Sequence, residues 1–345
     1  MSRINLNAVA KEAQVAVSTA SLALNGRSQV GLAEETIRRV RQAAERLGYT
    51  QNHNARSLRL QRSGMVGVII AGASPLHARL MDGIREGLDS SKQEMLPLLT
   101  THSYNSAREY QEVRFLLRNQ VEAIIATPKG PYAENYAPVL SSDIPVVFAI
   151  HSTPESPAEG DGPSMVLHDN QGMAREGGLH VIATGARRIA YLAWDFDTLV
   201  SHEKLLGVRQ AVEGDPLISL KIFMQPPETS FDATLDSLFS DPATAPDAVL
   251  CNPSTVALQC LDFFDRRGIS IPGQCSLLSL NNGEMFNCRR IHVTATTVDT
   301  DWIGRRAAER ALSLIGAKNR KPVRERHNCY RLIERSTTLP LPRGR

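Results

Sequence analysis

The chain has 345 residues, 42% of them hydrophobic, and a formal net charge of +3. That length exceeds one compact domain of ordinary size and predicts a small domain joined to a two-lobed one. No apolar run approaches the roughly 18 residues of a membrane span, and no apolar stretch of about 7–15 residues follows the N-terminus, which argues against a membrane protein and a secretory leader and for a cytoplasmic one. The charge is uneven: residues 1–63 carry ten Lys/Arg against four acids, +6, which leaves −3 on the rest. Such asymmetry is expected where one end of a chain meets polyanionic phosphate. Five cysteines (Cys251, Cys260, Cys275, Cys288, Cys329) are scattered and form no CxxC pair. They read as reduced thiols, and neither metal nor cofactor is expected.

Taken in chain order, Leu6, Val9, Ala10 and Ala13 fall on one helical face, and a second apolar set follows at Val15, Ala20 and Leu24. Asn25-Gly26 ends that second run, with Gly26 supplying a left-handed residue. A third stripe, Ile37, Val40, Ala44 and Leu47, closes at Gly48. Only a few residues separate the first two stripes, which is the helix-turn-helix spacing rather than an antiparallel hairpin. In that arrangement the second helix enters the major groove. Ser18, Thr19 and Ser21 can donate to phosphate or base acceptors, and Val17 can touch a thymine methyl. The same hydroxyls could equally cap or solvate a helix.

The stretch Leu6 to Gly26, LNAVAKEAQVAVSTASLALNG, resembles the headpiece of the LacI/GalR (lactose/galactose repressor) family of transcription regulators. That resemblance implies that Val17, Ser18 and Leu22 choose the operator sequence, and that Leu6, Thr19, Ser21 and Asn25 hold backbone phosphates. Three positions depart from the family. Gln14 stands at the usual turn glycine, Leu22 at a frequent arginine, and Ala33 where a helix-capping serine is usual. Losing the arginine removes a guanine contact and predicts an uncommon operator.

Residues 50–63 resemble the family's linker and hinge helix. A single free turn of helix is marginal in water, so it is expected to form mainly on DNA. The resemblance implies that paired hinge helices of a homodimer enter the minor groove and that Leu58 wedges into the central base step. Asn52, Ala55, Arg56 and Arg59 are the accompanying hinge contacts: Ala55 is small enough to let two helices meet, and Arg56 and Arg59 suit phosphates. Leu58 could instead pack the hinge onto the core. Gln51 replaces a usual proline and predicts a less stiff linker.

From residue 64 strand and helix alternate. Strands are expected at Met65–Ile70, Met95–Thr100, Ala123–Ala126 and Pro145–Ala149, with helices near 77–89, 106–118 and 133–141. A second series has strands near Ile189–Leu192, Leu220–Phe223, Ala248–Cys251 and Cys275–Leu280, with helices near 169–184, 201–213, 230–239 and 253–267. This is an α/β core of two doubly wound parallel lobes, similar to periplasmic-binding-protein-like (type I) cores, preceded by the all-α headpiece. Three crossings between lobes are expected, near 152–164, 293–297 and 320–322. The domain boundaries are 1–49, 50–63, 64–338 and a tail at 339–345.

Ligands of such folds sit at the carboxyl ends of the strands. That rule selects Ser74, His77, Thr127, Ile150, Trp194, Lys204, Asn252 and Asn281 as effector contacts. Asn252 also fits a helix N-cap before Pro253, and His77 fits a helix or rim residue. By the resemblance, Lys204 matches an effector-holding arginine, while Ile150, Pro253 and Asn281 stand where sugar-binding members carry aspartates. Losing three carboxylates while keeping a cation shifts the pocket from a neutral sugar toward a sugar acid or sugar phosphate.

The sequence therefore predicts a repressor of a carbohydrate or related metabolic operon, binding near-palindromic double-stranded DNA as a homodimer under control of a small metabolite. A solute-binding receptor shares the two-lobed core but leaves residues 1–60 without a role. No GxGxxG, P-loop, HExxH or GxSxG motif points to an enzyme.

Overall fold

The structure, a computed structural model, describes residues 4–24, 31–49, 62–91, 95–140, 142–153, 162–287, 292–317, 320–328 and 330–338. The chain divides into two compact units, Met1–Ser63 and Gly64–Arg345.

The first unit contains α1 (Leu6–Glu12), α2 (Val17–Leu24) and α3 (Glu34–Arg46). Asn5 opens α1, its side-chain oxygen accepting from Ala8 N–H at 3.1 Å. The three helices share a core built mostly from alanines, with Val9, Ile37 and Val40 filling the space between them. The turn between α1 and α2 places Gln14 at φ +53°, a left-handed conformation that glycine adopts freely and other residues do not. Ala33 sits at the N-cap of α3 and makes no side-chain cap bond, while Glu34 and Glu35 place negative charge against the exposed N–H groups of the first turn. Gly48, at φ +61°, follows the end of α3.

The second unit runs β1 (Met65–Ile70), α4 (Pro75–Asp89), β2 (Leu96–Thr101), α5 (Ser106–Arg118), β3 (Ala123–Ala126), α6 (Tyr132–Asn135), α7 (Ala137–Leu140), β4 (Val146–Ile150), β5 (Ser164–His168). It continues α8 (Asn170–Ala183), β6 (Arg188–Trp194), α9 (Leu199–Val212), β7 (Ser219–Gln225), α10 (Asp232–Leu238), β8 (Ala248–Asn252), α11 (Ser254–Arg267), β9 (Ser276–Ser279), β10 (Thr294–Val298), α12 (Thr300–Leu314), β11 (Arg324–His327) and β12 (Tyr330–Ile333). Two six-stranded sheets result, ordered β11-β5-β4-β3-β1-β2 and β12-β10-β9-β8-β6-β7. All paired strands are parallel except β12, which runs antiparallel to β10. Each sheet is covered on both faces by helices, so its central strands are buried apolar runs such as VVFAI and AVLCN.

In both sheets the winding direction reverses beside the first strand, between β1 and β3 and between β6 and β8. Reversal opens a crevice at the carboxyl ends of those strands.

The number of crossings agrees with the sequence expectation, but their positions do not. Residues 164–168 are not the end of a crossover: they form β5, beside β4 in the first sheet, and the chain crosses between His168 and Asn170. Residues 294–298 are likewise a strand of the second sheet, with the crossing at Asp299. The third crossing lies between His327 and Tyr330 rather than at 320–322. β5 follows a stretch rich in Ser, Pro, Glu and Gly and so carries the composition of a loop, while β10 and β11 are short runs rich in threonine and in charge, which hid them. The expected helix at 133–141 is two short helices, with Pro138 inside the second.

Candidate functional site

In the first unit, α2 presents Val17, Ser18 and Leu22 to solvent while Ala20 and Ala23 face the core. Val17 and Leu22 are 44% and 41% exposed, which leaves their apolar side chains available for contact with another surface. Thr19 and Ser21 are half-buried on the flank of the same helix, and Leu6 packs partly against the core at the start of α1. Asn25, Asn52, Ala55, Arg56, Leu58 and Arg59 lie outside the described residues.

In the second unit, a cavity of about 470 Å³ opens at the carboxyl ends of both sheets. That volume falls in the range of small-molecule sites, roughly 300–1,000 Å³. Seven of the eight expected effector residues line it: Ser74, His77, Ile150, Trp194, Lys204, Asn252 and Asn281. Thr127 does not. It is wholly buried behind the wall, its hydroxyl accepting from Ala71 N–H at 3.2 Å and its carbonyl meeting His102 Nε2 at 2.9 Å. Its position at the end of β3 is right, but its short side chain is consumed by the neighbouring strand end.

The wall is assembled from strand ends and helix starts. Ser74 caps α4, its Oγ accepting from His77 N–H at 3.3 Å and lying 2.9 Å from His77 Nδ1. Burial first, and the nearby His102 second, lower the His77 pKa to about 4, so its ring is neutral at physiological pH. Ile150 has φ +72°, with His151 N–H donating to Ala149 O at 2.9 Å. This tight turn is strained for a β-branched residue and swings His151 to the cavity. His151 Nε2 donates to Pro128 O at 2.9 Å, which makes Nδ1 an acceptor, and that atom has no protein partner. The receiving loop is anchored by Glu109, wholly buried, whose carboxylate accepts from Gly130 N–H and Tyr136 OH, both at 2.8 Å.

From the second lobe, α9 carries Lys204 into the interior, where it is 3% exposed. Its ammonium donates to Asn252 Oδ1 at 2.9 Å and Asn281 Oδ1 at 2.7 Å. Burial pulls its pKa down to about 7. Asn252 is therefore not an N-cap: α11 is preceded by Pro253, which makes no cap bond, and the Asn252 side chain is held by Lys204. Asn170 donates to Glu203 Oε2 at 2.8 Å, leaving its own buried Oδ1 unpaired. His168 is 4% exposed, with Nδ1 unpaired, and burial followed by the Lys204 charge lowers its pKa to about 3.

Sequence reasoning missed His151, His168, Asn170, Tyr104 and Phe196, all lining the cavity. His151 was within reach, because it adjoins Ile150 at a strand end. His168 and Asn170 were hidden with β5. Tyr104 and Phe196 come from opposite lobes and stack at 4.4 Å between ring centroids, a pairing that no local pattern encodes.

Comparison with known proteins agrees with this architecture. The sequence profile for bacterial regulatory proteins of the lacI family matches residues 5–52, and that for a periplasmic binding protein-like domain matches residues 179–338. The chain is 28% identical to the HTH-type transcriptional regulator GntR of Pseudomonas aeruginosa, over 92% of this chain and 90% of that one. It is 25% identical to catabolite control protein A of Priestia megaterium, over 83% and 85%. Among solved structures it resembles the lac repressor dimer bound to operator and the anti-inducer ONPF, with a TM-score of 0.79 at 20% identity over 98% of this chain and 100% of that one. It also resembles a transcriptional regulator CelR–cellobiose complex, with a TM-score of 0.67 at 21% identity over 97% and 100%.

Proposed function

This chain belongs to the LacI family and is a DNA-binding transcription regulator, and we propose that it represses a metabolic operon under control of a small polar metabolite held between the lobes of its core. The observation that carries this reading is one chain holding both a helix-turn-helix with an exposed apolar and hydroxyl-bearing face and a cavity at two strand-end crevices into which buried polar side chains converge. A sugar-like effector is supported by the neighbour solved with cellobiose. A solute-binding receptor is not favoured, because such a protein needs no +6 helical unit.

One headpiece reads only a few base pairs, so operator specificity calls for a two-fold dimer on a near-palindromic site in the cytoplasm. In this scheme residues 1–49 read DNA, 50–63 form the linker and hinge, and 64–338 sense the effector and dimerise. Val17, Ser18 and Leu22 select bases; Leu6, Thr19, Ser21 and Asn25 hold phosphates; Leu58 is the minor-groove wedge. Its output is DNA occupancy rather than turnover. The test is a genome-wide footprint followed by binding to the sites found. Leu58→Ala should lose specific affinity while nonspecific binding persists. Equal loss on both kinds of DNA refutes the wedge, and no footprint at all refutes the regulator.

A further inference from the structure

Resting on that regulator reading, we propose that the effector is a sugar acid, a polyhydroxylated monocarboxylate whose carboxylate pairs with Lys204 and whose hydroxyls meet the imidazoles and amides around it.

The argument begins with charge. An ammonium taken out of water requires a counter-charge or its burial is strongly unfavourable. Lys204 has amide oxygens on two of its three N–H donors and no carboxylate within reach among the described residues. The carboxylate on the cavity wall, Glu228, is exposed at the rim. An ammonium kept buried beside a cavity, with its third donor unspent, is matched by an anion arriving in that cavity.

The charge of that anion follows from what else lines the site. Among the described residues Lys204 is the one cationic side chain of the wall, and no arginine joins it. His77 and His168 are neutral by burial, so they add hydrogen bonds and not charge. One cation neutralises a monoanion and leaves a phosphate dianion half-compensated, with Glu228 opposing it. The remainder of the ligand is read from unpaired atoms. His151 Nδ1, His168 Nδ1 and Asn170 Oδ1 are buried at this wall without protein partners. The His151 and Asn170 atoms are acceptors, as the donor bonds of the same groups show; they lie just behind the cavity surface, and hydroxyl protons are the complement they take when a side-chain rotation turns them to the ligand. The stacked Tyr104 and Phe196 offer apolar ring faces to a carbon chain.

The experiment is titration calorimetry on the full-length protein with a panel of hexonates, hexuronates and aldobionates, each beside its neutral alditol, together with the hexose 6-phosphates. At least one sugar acid should bind about thirtyfold or more tightly than its alditol, the range expected of a charge-assisted bond. Lys204→Met should erase that preference. Should Lys204→Met fail to fold, Asn281→Asp serves instead, since a carboxylate built beside the ammonium supplies the counter-ion internally. It should weaken the sugar acid at least about tenfold and spare the alditol. Binding of alditols as tight as their acids, tighter binding of phosphates, binding of no sugar acid, or an unchanged preference in both variants overturns the proposal. Specific operator binding by the unliganded wild-type protein, measured in parallel, reports on the regulator reading alone and so separates the two failures.

Discussion

At the scale of single residues, the neutral histidines set a pH limit on the core. His77 and His168 are 5% and 4% exposed, and burial lowers their pKa values to about 4 and about 3 from 6.5. Between those values and 6.5 the unfolded chain binds protons that the folded chain refuses. The stability they contribute is therefore complete above pH 6.5 and falls as the pH drops toward 4. His151, lowered by burial to about 4 as well, adds a third such group, and the three together give a slope of up to roughly 4 kcal/mol per pH unit in that window. Urea unfolding at pH 7.0, 5.5 and 4.5 measures it, and His168→Asn should reduce the slope. A midpoint that stays constant from pH 7.0 to 4.5 would contradict this account. These residues also mark where sequence reading stops. A histidine at the end of a recognised strand is a candidate contact, but its burial arises from packing between two sheets, and only the assembled core shows that His168 sits uncharged near the Lys204 ammonium while His77 is turned onto Ser74 Oγ. Lys204 itself was legible through the resemblance, as the match to an effector-holding arginine, but its burial was not.

Elements illustrate the same division between local and tertiary information. Stripes of period 3.6 located all three helices of the first unit, since each must cover the same small core. The uncapped start of α3 was legible too, because capping depends on one residue, and Ala33 has no atom with which to cap. Ala33→Ser should stabilise the first unit by about 1 kcal/mol, seen as a higher melting temperature of the headpiece transition without loss of operator affinity. Close helix packing in the second unit was not legible. A Cβ on Gly83 would lie 2.0 Å from Asp301 O, and one on Gly304 2.2 Å from Leu80 O, because α4 and α12 touch backbone to backbone. These two helices belong to chain segments more than two hundred residues apart, joined only by the crossings that composition disguised. Gly304→Ala should cost about 1–3 kcal/mol or more, as overpacking against backbone leaves no flexible atom to yield. Denaturant titration of the variant measures this, and wild-type stability would show that the two helices can separate at little cost.

For the second unit as a whole, the question is what holds its two lobes around the cavity. Three chain crossings join the lobes, and a few contacts bridge the opening. Lys129 Nζ of the first lobe donates to Asp197 O of the second at 2.7 Å, Arg79 meets Glu284 at 3.4 Å, and Tyr104 stacks on Phe196. The ion pair is exposed and contributes little. The aromatic pair carries more, about 0.5–1.5 kcal/mol beyond its buried area. Removing it should shift the lobes toward an open arrangement by a factor of about 2–12, and a ligand that needs the closed arrangement loses affinity by the same factor. Trp194 lines the cavity, packs edge-on to Phe196 at 6.3 Å and donates its indole N–H to Thr229 O at 3.1 Å, so its fluorescence reports closure directly. In the Tyr104→Ala, Phe196→Ala double variant the loss should fall mainly on the dissociation rate, since the stack forms only after the lobes meet. Stopped-flow fluorescence resolves the two rates. A slower association with unchanged dissociation would mean that the stack shapes the entrance and does not hold the lobes closed.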